Sequence, residues 1–224
     1  MPPPPLIELR AATAGYAGRP VLSDFNLSLR PAEHVAVLGR SGAGKSTLLN
    51  LLFQRLDDRA ALIPQAAALV GTLSVFHNVY MGRLDRHSAA RNLRMLAFPA
   101  RAEVAAVRAV LEGVGMEEYL FRRAGALSGG QQQRVSVARA LYNGRSILLG
   151  DEPVSALDRV QGSAILKLLG QRHETLVLVM HDVQLALETA ERIIVLEKGR
   201  KIIDEPSQAL RPQDLSGVFG GQFV

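Results

Sequence analysis

Nine consecutive residues carry the clearest chemistry in this sequence. Gly39, Arg40, Ser41, Gly42, Ala43, Gly44, Lys45, Ser46 and Thr47 match the phosphate-loop pattern G-x-x-x-x-G-K-[ST]. Glycines at these spacings let successive backbone N–H groups turn inward on phosphate oxygens, and a helix beginning near Lys45 aims the positive end of its dipole at the same anion. Lys45 would place a point charge on the β- and γ-phosphates, and the Ser46 hydroxyl would ligate Mg²⁺. The expected ligand is therefore a nucleoside triphosphate.

A second set of groups lies a hundred residues on. Ser146-Ile-Leu-Leu-Gly-Asp151-Glu152-Pro153 is an apolar run ending in two carboxylates, and open α/β sheets place ligand-binding groups at such strand ends. Asp151 is positioned to hold Mg²⁺, directly or through water. Glu152 is the candidate general base for an attacking water. Leu127-Ser128-Gly129-Gly130-Gln131-Gln132-Gln133-Arg134 is another glycine-containing turn, and the helical pattern after it makes it a second candidate anion site. One chain thus offers two phosphate-facing surfaces.

These groups need a scaffold, and the apolar pattern provides one. Val35 to Leu38 reads as a strand before the phosphate loop, and Leu48, Leu49, Leu51, Leu52 and Phe53 fit a helix after it. From Leu6 onward the start is strand-like, while Ala66 to Ala126 reads as mostly helical, with Leu73, Phe76, Val79 and Tyr80 at helical spacing and a later helix punctuated by Gly113 and Gly115. Ser146 to Gly150, Thr175 to Met180 and Arg192 to Leu196 are short apolar runs separated by helix-length segments, the alternation of an α/β fold with a largely parallel sheet. Lys198-Gly199 reads as a turn between two final strands. The Pro2 to Pro5 run is an extended lead-in, and everything beyond Pro206 is left without an assignment.

Composition narrows the class. A chain of 224 residues, 48% of them hydrophobic, suits one domain with a proper core. No apolar run approaches the ~20 residues of a membrane span, and the N-terminus lacks a secretory pattern, so a cytoplasmic protein is expected. The absence of cysteine excludes disulfides and thiolate metal sites. Basic residues exceed acidic ones by 26 − 21 = 5, but the arginines are dispersed and form no dense block, and no nucleic-acid partner is expected. His34, His77, His87 and His173 are expected at the surface.

The phosphate loop, LSGGQQQR, the strand ending in Asp-Glu and a later histidine, in that order, resemble the ATP-binding subunit of ABC transporters, across roughly Leu6 to Leu210. The resemblance implies a single ABC ATP-binding domain over 1–224, with a mostly parallel RecA-like core formed by 6–65 and 127–210, an antiparallel β lobe, and an inserted helical lobe at 66–126. It implies ATP hydrolysis with Mg²⁺ in a head-to-tail homodimer, each nucleotide lying between the phosphate loop of one copy and Ser128, Gly129, Gly130 and Gln131 of the other. Transmembrane permease subunits, a solute-binding protein acting through them, and a place on the cytoplasmic face of the inner membrane are implied as well.

Single positions also carry over. Tyr16 resembles the aromatic that stacks on adenine, and Gln65 the glutamine that senses Mg²⁺ and the attacking water. Asp158 resembles the aspartate that communicates across the dimer; by position alone it reads equally as a helix N-cap. His181, directly after the run Thr175 to Met180, resembles the histidine that contacts the γ-phosphate and orients the water.

One stretch departs from the family pattern. About twenty residues separate Lys45 from Gln65, whereas the family usually has roughly double that, so a shortened antiparallel β lobe is expected, with an exposed strand edge. The segment Leu69 to Leu84, with Phe98-Pro99 after it and Arg123 before the signature, is similar to ATPases of phosphonate importers. A phosphonate or related phosphorus oxyanion is the expected cargo; another solute, a non-transport ABC protein and a non-hydrolysing cassette remain alternatives.

Overall fold

The computed structural model describes residues 4–16 and 18–219. Of the Pro2 to Pro5 lead-in, Pro4 and Pro5 are exposed and carry no regular structure, and Pro2 and Pro3 lie outside the described residues. The chain begins with β1 (Ile7–Tyr16) and β2 (Arg19–Leu29), which pair antiparallel, Ile7 opposite Leu29 and Leu9 opposite Leu27. Leu9, Leu22, Phe25, Leu27 and Leu29 are buried and belong to one core cluster with Leu48, Leu49, Leu52 and Leu56 of α1 (Lys45–Leu56). Those four leucines recur one and four residues apart, which lines them along one face of the helix. Each buried leucine contributes about 2 kcal/mol relative to leaving it exposed.

From the end of α1 a single 3₁₀ turn, Asp57–Arg59, leads straight into β4 (Ala60–Ile63). Among the described residues the antiparallel sheet therefore has two strands. That is the shortened lobe expected from the close spacing of Lys45 and Gln65.

The main sheet has six strands in the order β4-β5-β6-β3-β7-β8, where β3 is His34–Leu38, β5 Ile147–Asp151, β6 Thr175–Val179, β7 Arg192–Glu197 and β8 Arg200–Pro206. All neighbours run parallel except β7 and β8, which form a hairpin through Lys198 and Gly199. The five parallel strands are nearly continuous apolar runs, as cover on both faces requires, whereas the edge strand β8, RKIIDEP, is polar and more exposed. Alternation then sorts each strand between two cores: Val35 and Val37 face the α1 side, whereas Ala36 and Leu38 face the cluster containing Phe76, Leu111, Val137 and Leu185.

The other side of the sheet is covered by helices. Between β4 and β5 lie α2 (Val75–Tyr80), α3 (Ala89–Ala97), α4 (Arg101–Gly113) and α5 (Gly129–Asn143); α6 (Arg159–Arg172) joins β5 to β6, and α7 (Val183–Thr189) precedes β7. Gly113 ends α4, and Gly115 beyond it has φ +63. Past Pro206 the described residues form 3₁₀ turns at Ser207–Ala209 and Pro212–Phe219, and Leu215 is fully buried against the helical core.

One expectation fails here. His34, His77 and His87 are only partly exposed, and His173 is buried at 2%. The His173 ring sits at the α6–β6 junction, where its Nδ1 is 2.7 Å from the Arg145 carbonyl. Burial pushes its pKa below the ordinary value and favours the neutral ring.

Candidate functional site

Sheet order explains why groups far apart in sequence converge. In the adjacent parallel strands β4, β5, β6 and β3, the carboxyl ends lie along one edge, about 5 Å apart from strand to strand. Gln65 follows β4, Asp151 and Glu152 end β5, His181 follows β6, and the phosphate loop follows β3. An open cleft of 440 Å³ at that edge is lined by Tyr16, Ser41, Gly42, Gly44, Lys45, Ser46, Thr47, Gln65, Glu152 and His181, with Val21.

The loop's glycines are required by geometry. Gly39 has φ +145, and a Cβ there would come within 2.4 Å of the Leu196 carbonyl oxygen; Gly44, at φ +102, is the residue from which α1 starts. Gly39, Arg40 and Ala43 do not themselves line the cleft. Ala43 is buried behind it, and its carbonyl accepts the Gly199 N–H at 3.0 Å, which ties the loop to the β7–β8 hairpin.

Lys45 is buried at 7%, with Nζ donating to the Gly39 carbonyl at 2.7 Å and the Arg40 carbonyl at 3.0 Å. Its ammonium thus ties the two carbonyls at the start of the loop together. Burial lowers its pKa, opposed by the charges of Glu152 and Asp151. A cation held at a desolvation cost and bonded only to neutral carbonyls favours an incoming anion.

Asp151 is buried at 8%, and its Oδ1 has no hydrogen-bond partner among the described residues. An orphaned, buried carboxylate oxygen beside the phosphate loop fits a cation ligand. Ser46, next to Lys45, presents an exposed hydroxyl to the cleft.

Glu152 has φ +54, an uncommon conformation for a residue with a Cβ. Its Oε1 lies 2.5 Å from His181 Nε2 and accepts from Gln65 Nε2 at 3.3 Å. The carboxylate is therefore oriented by two neighbours brought from different strand ends. Tyr16 is 56% exposed at the rim, and its hydroxyl accepts from Asn50 Nδ2 at 3.0 Å, so α1 itself steadies the ring.

The signature turn lies elsewhere. Ser128 is the N-cap of α5, accepting from the Gln131 N–H at 3.3 Å while the Gln131 side-chain oxygen accepts from the Ser128 N–H at 2.9 Å. That reciprocal pair is a capping box. None of Ser128, Gly129, Gly130 or Gln131 lines the 440 Å³ cleft of its own chain. Asp158 caps α6, accepting from the Gln161 N–H at 2.9 Å, and lines a neighbouring 390 Å³ cavity that shares Glu152 and His181 with the first.

Two residues without an assigned role in the sequence prove to hold the site. Asn50 supports Tyr16, and Gln133 bonds the loop that carries Glu152. Gln133 stood in the signature motif, but nothing in sequence shows that its side chain points at residue 152.

Comparison with known proteins agrees with this geometry. The ABC transporter family model matches residues 22–155. The chain is 33% identical, over 98% of its length and 95% of the relative's, to the phosphonates import ATP-binding protein PhnC of Caulobacter vibrioides. It is 37% identical, over 96% of its length and 99% of the relative's, to PhnC 1 of Natronomonas pharaonis. Among solved structures, a dimeric bacterial ABC transporter cassette superposes with a TM-score of 0.77 at 27% identity, covering 89% of this chain and 98% of that one. A dimeric cassette in a post-hydrolysis state with ADP and Pi gives 0.74 at 26% identity over the same shares of the two chains. This chain belongs to the ABC transporter family and is one of its ATP-binding, ATP-hydrolysing cassettes.

Proposed function

We propose that the whole chain, 1–224, works as one cassette domain that powers import of a phosphonate or related phosphorus oxyanion, by ATP-driven head-to-tail homodimerisation against a pair of permease subunits. The observation that carries this reading is the single cleft in which the phosphate loop, Gln65, Glu152 and His181 meet, while a complete phosphate-facing turn, Ser128 to Gln131, stands outside it. A second copy rotated by a two-fold axis supplies that turn and closes the site.

In this reading Lys45 leaves the Gly39 and Arg40 carbonyls for the β- and γ-phosphates, and Tyr16 stacks on the base. Ser46, Asp151 and Gln65 are the residues that would hold Mg²⁺. Held there, Mg²⁺ would supply positive charge against the phosphate oxygens. Glu152 accepts the proton of the attacking water, a role worth 10²–10⁴-fold in rate. His181 holds the Glu152 carboxylate and meets the γ-phosphate from the other side. Asp158, beyond its capping bond, reaches toward the partner copy.

The cargo assignment rests on the names of the relatives, which are phosphonate import proteins. A cassette of this kind acts with permease subunits and a solute-binding protein at the cytoplasmic face of the inner membrane; no helix among the described residues is long and apolar enough to cross a membrane. Co-expression with candidate permeases, followed by phosphonate-stimulated ATPase in proteoliposomes, tests the cargo. Stimulation by a phosphonate-loaded binding protein supports it, and stimulation only by an unrelated solute removes it.

A further inference from the structure

Gln133 is buried at 8% on α5, a turn and a half beyond Ser128. Its Nε2 donates to the Glu152 carbonyl at 2.7 Å and to Ser155 Oγ at 3.2 Å, and its Oε1 accepts from the Ala156 N–H at 2.8 Å. One side-chain amide is thus spent wholly on the loop that follows β5.

That loop begins in a strained state. Glu152 lies at φ +54, and such conformations persist only where surrounding bonds over-determine them. The Glu152 N–H donates to Val179, and its carbonyl accepts from both Ser155 N–H and Gln133. Gln133 is the one of these three that comes from α5. The two elements also touch at Gly130, where a Cβ would come within 2.9 Å of the Ala156 carbonyl oxygen. The helix that starts at the signature turn is therefore bonded directly to the backbone of the general base.

We propose that Gln133 is a positioning residue for hydrolysis: it fixes the backbone of Glu152 from the same helix whose N-terminus grips the partner's nucleotide. The inference rests on the head-to-tail reading above. In that dimer the Ser128 end of α5 belongs to one nucleotide and Glu152 to the other. Engagement of the signature turn at one site is then felt at the base of the second, through a single buried amide. Arg139, further along α5, does the same for the other loop of the site, with Nη1 and Nη2 donating to the Ala68 and Ala67 carbonyls just past Gln65.

The test uses the full chain and three variants. Gln133→Met fills the space without hydrogen bonds; its kcat is expected to fall on the order of tenfold or more, with KM and fluorescent-nucleotide affinity within about twofold of the parent, since misplacing a reacting group slows chemistry and not binding. Ser155→Ala removes only the weaker of the two Nε2 bonds and is expected to keep kcat within about threefold. Gln133→Glu gives a signature that a purely structural role would not move. Its ionised carboxylate repels the Glu152 carbonyl, whereas the protonated form donates to it as the amide does, and burial raises the carboxyl's pKa.

The ratio of the Glu variant's kcat to wild type should therefore rise as pH falls from about 8.5 to 6. A folded Met variant with wild-type kcat, or a flat ratio for the Glu variant, overturns the proposal. If the Met variant fails to fold, the Glu ratio decides. The head-to-tail reading is checked separately by Mg-ATP-driven dimerisation of Glu152→Gln: a monomer there sinks that reading, while a dimer alongside wild-type turnover in Gln133→Met sinks this inference alone.

Discussion

His181 Nε2 and Glu152 Oε1 stand 2.5 Å apart although 29 residues separate them in the chain. Pairing of Asp151 with Val179 across β5 and β6 makes this so, because each residue lies just beyond its strand's end. Half-exposed His181 and largely covered Glu152 together face the space beyond Lys45. A carboxylate held this way is prepared to take a proton from one direction.

Replacing Glu152 by Gln therefore keeps the fold and the nucleotide contacts but removes the proton acceptor. Steady-state phosphate release should fall 10²–10⁴-fold, the usual worth of a general base, with ATP affinity nearly unchanged. Normal turnover would remove Glu152 from its assigned role.

Lys45→Ala deletes the one ammonium among the described residues that line the cleft. Charge-assisted hydrogen bonds contribute about 1.5–3 kcal/mol each, so equilibrium nucleotide binding should weaken by roughly 10- to 100-fold. Unchanged affinity by titration calorimetry would mean that the phosphates lie elsewhere.

The two signature glycines should respond differently to alanine. A Cβ at Gly129 meets nothing within 4 Å, so Gly129→Ala should leave the melting temperature of the monomer unchanged or raise it, alanine being the better helix former. A Cβ at Gly130 presses on the Ala156 carbonyl at 2.9 Å, so Gly130→Ala should destabilise the fold. Gly129→Ala should nonetheless reduce ATP-driven dimerisation, since in the proposed dimer the partner's nucleotide docks in the open space above it. Full dimerisation in that variant counts against the composite site.

Acid stability has its own device. Arg192 makes a two-point contact with Asp204 at 2.5 and 2.9 Å and also reaches Glu33 at 3.0 Å and the Ser28 carbonyl at 2.9 Å, while Lys201 bonds Asp204 from the other side. Partial burial raises the Asp204 pKa, but its bonds to Arg192 and Lys201 outweigh this and hold it below the ordinary 3.8. Its stabilising contribution is thus complete above that value and is lost as pH falls through the lower, folded-state pKa. Asp204→Asn should lower the melting temperature at pH 7 by roughly 4–8 °C, the difference from wild type shrinking toward pH 3. A constant difference across pH would assign the loss to packing instead.

Much of this was legible in sequence, for identifiable reasons. The phosphate loop and the acidic strand end are local patterns whose backbone geometry follows from glycine and from the strand before them. The short path from Lys45 to Gln65 correctly implied a reduced β lobe, because chain length bounds how many strands fit. The burial of His173 has no signal in the sequence: it depends on the end of α6 meeting the Arg145 carbonyl in the turn between α5 and β5, a contact between residues 28 apart. Leu215 was missed because one apolar residue in a weakly patterned tail gives no periodicity. Gln133 and Arg139 were silent for a related reason, since a helical pattern reveals which face is apolar but not which loop a polar side chain will hold. For Asp158, the capping role that position alone offers is visible in the bond to Gln161.

In the proposed dimer, two copies of this chain clasp ATP between them. The most direct measurement is the molar mass, by light scattering, of purified Glu152→Gln with saturating Mg-ATP, beside the double variant Glu152→Gln/Ser128→Arg. A doubled mass is expected for the first and a monomer for the second, where the added side chain fills the γ-phosphate's place. A strictly monomeric Glu152→Gln, or a dimer indifferent to Ser128→Arg, would contradict it.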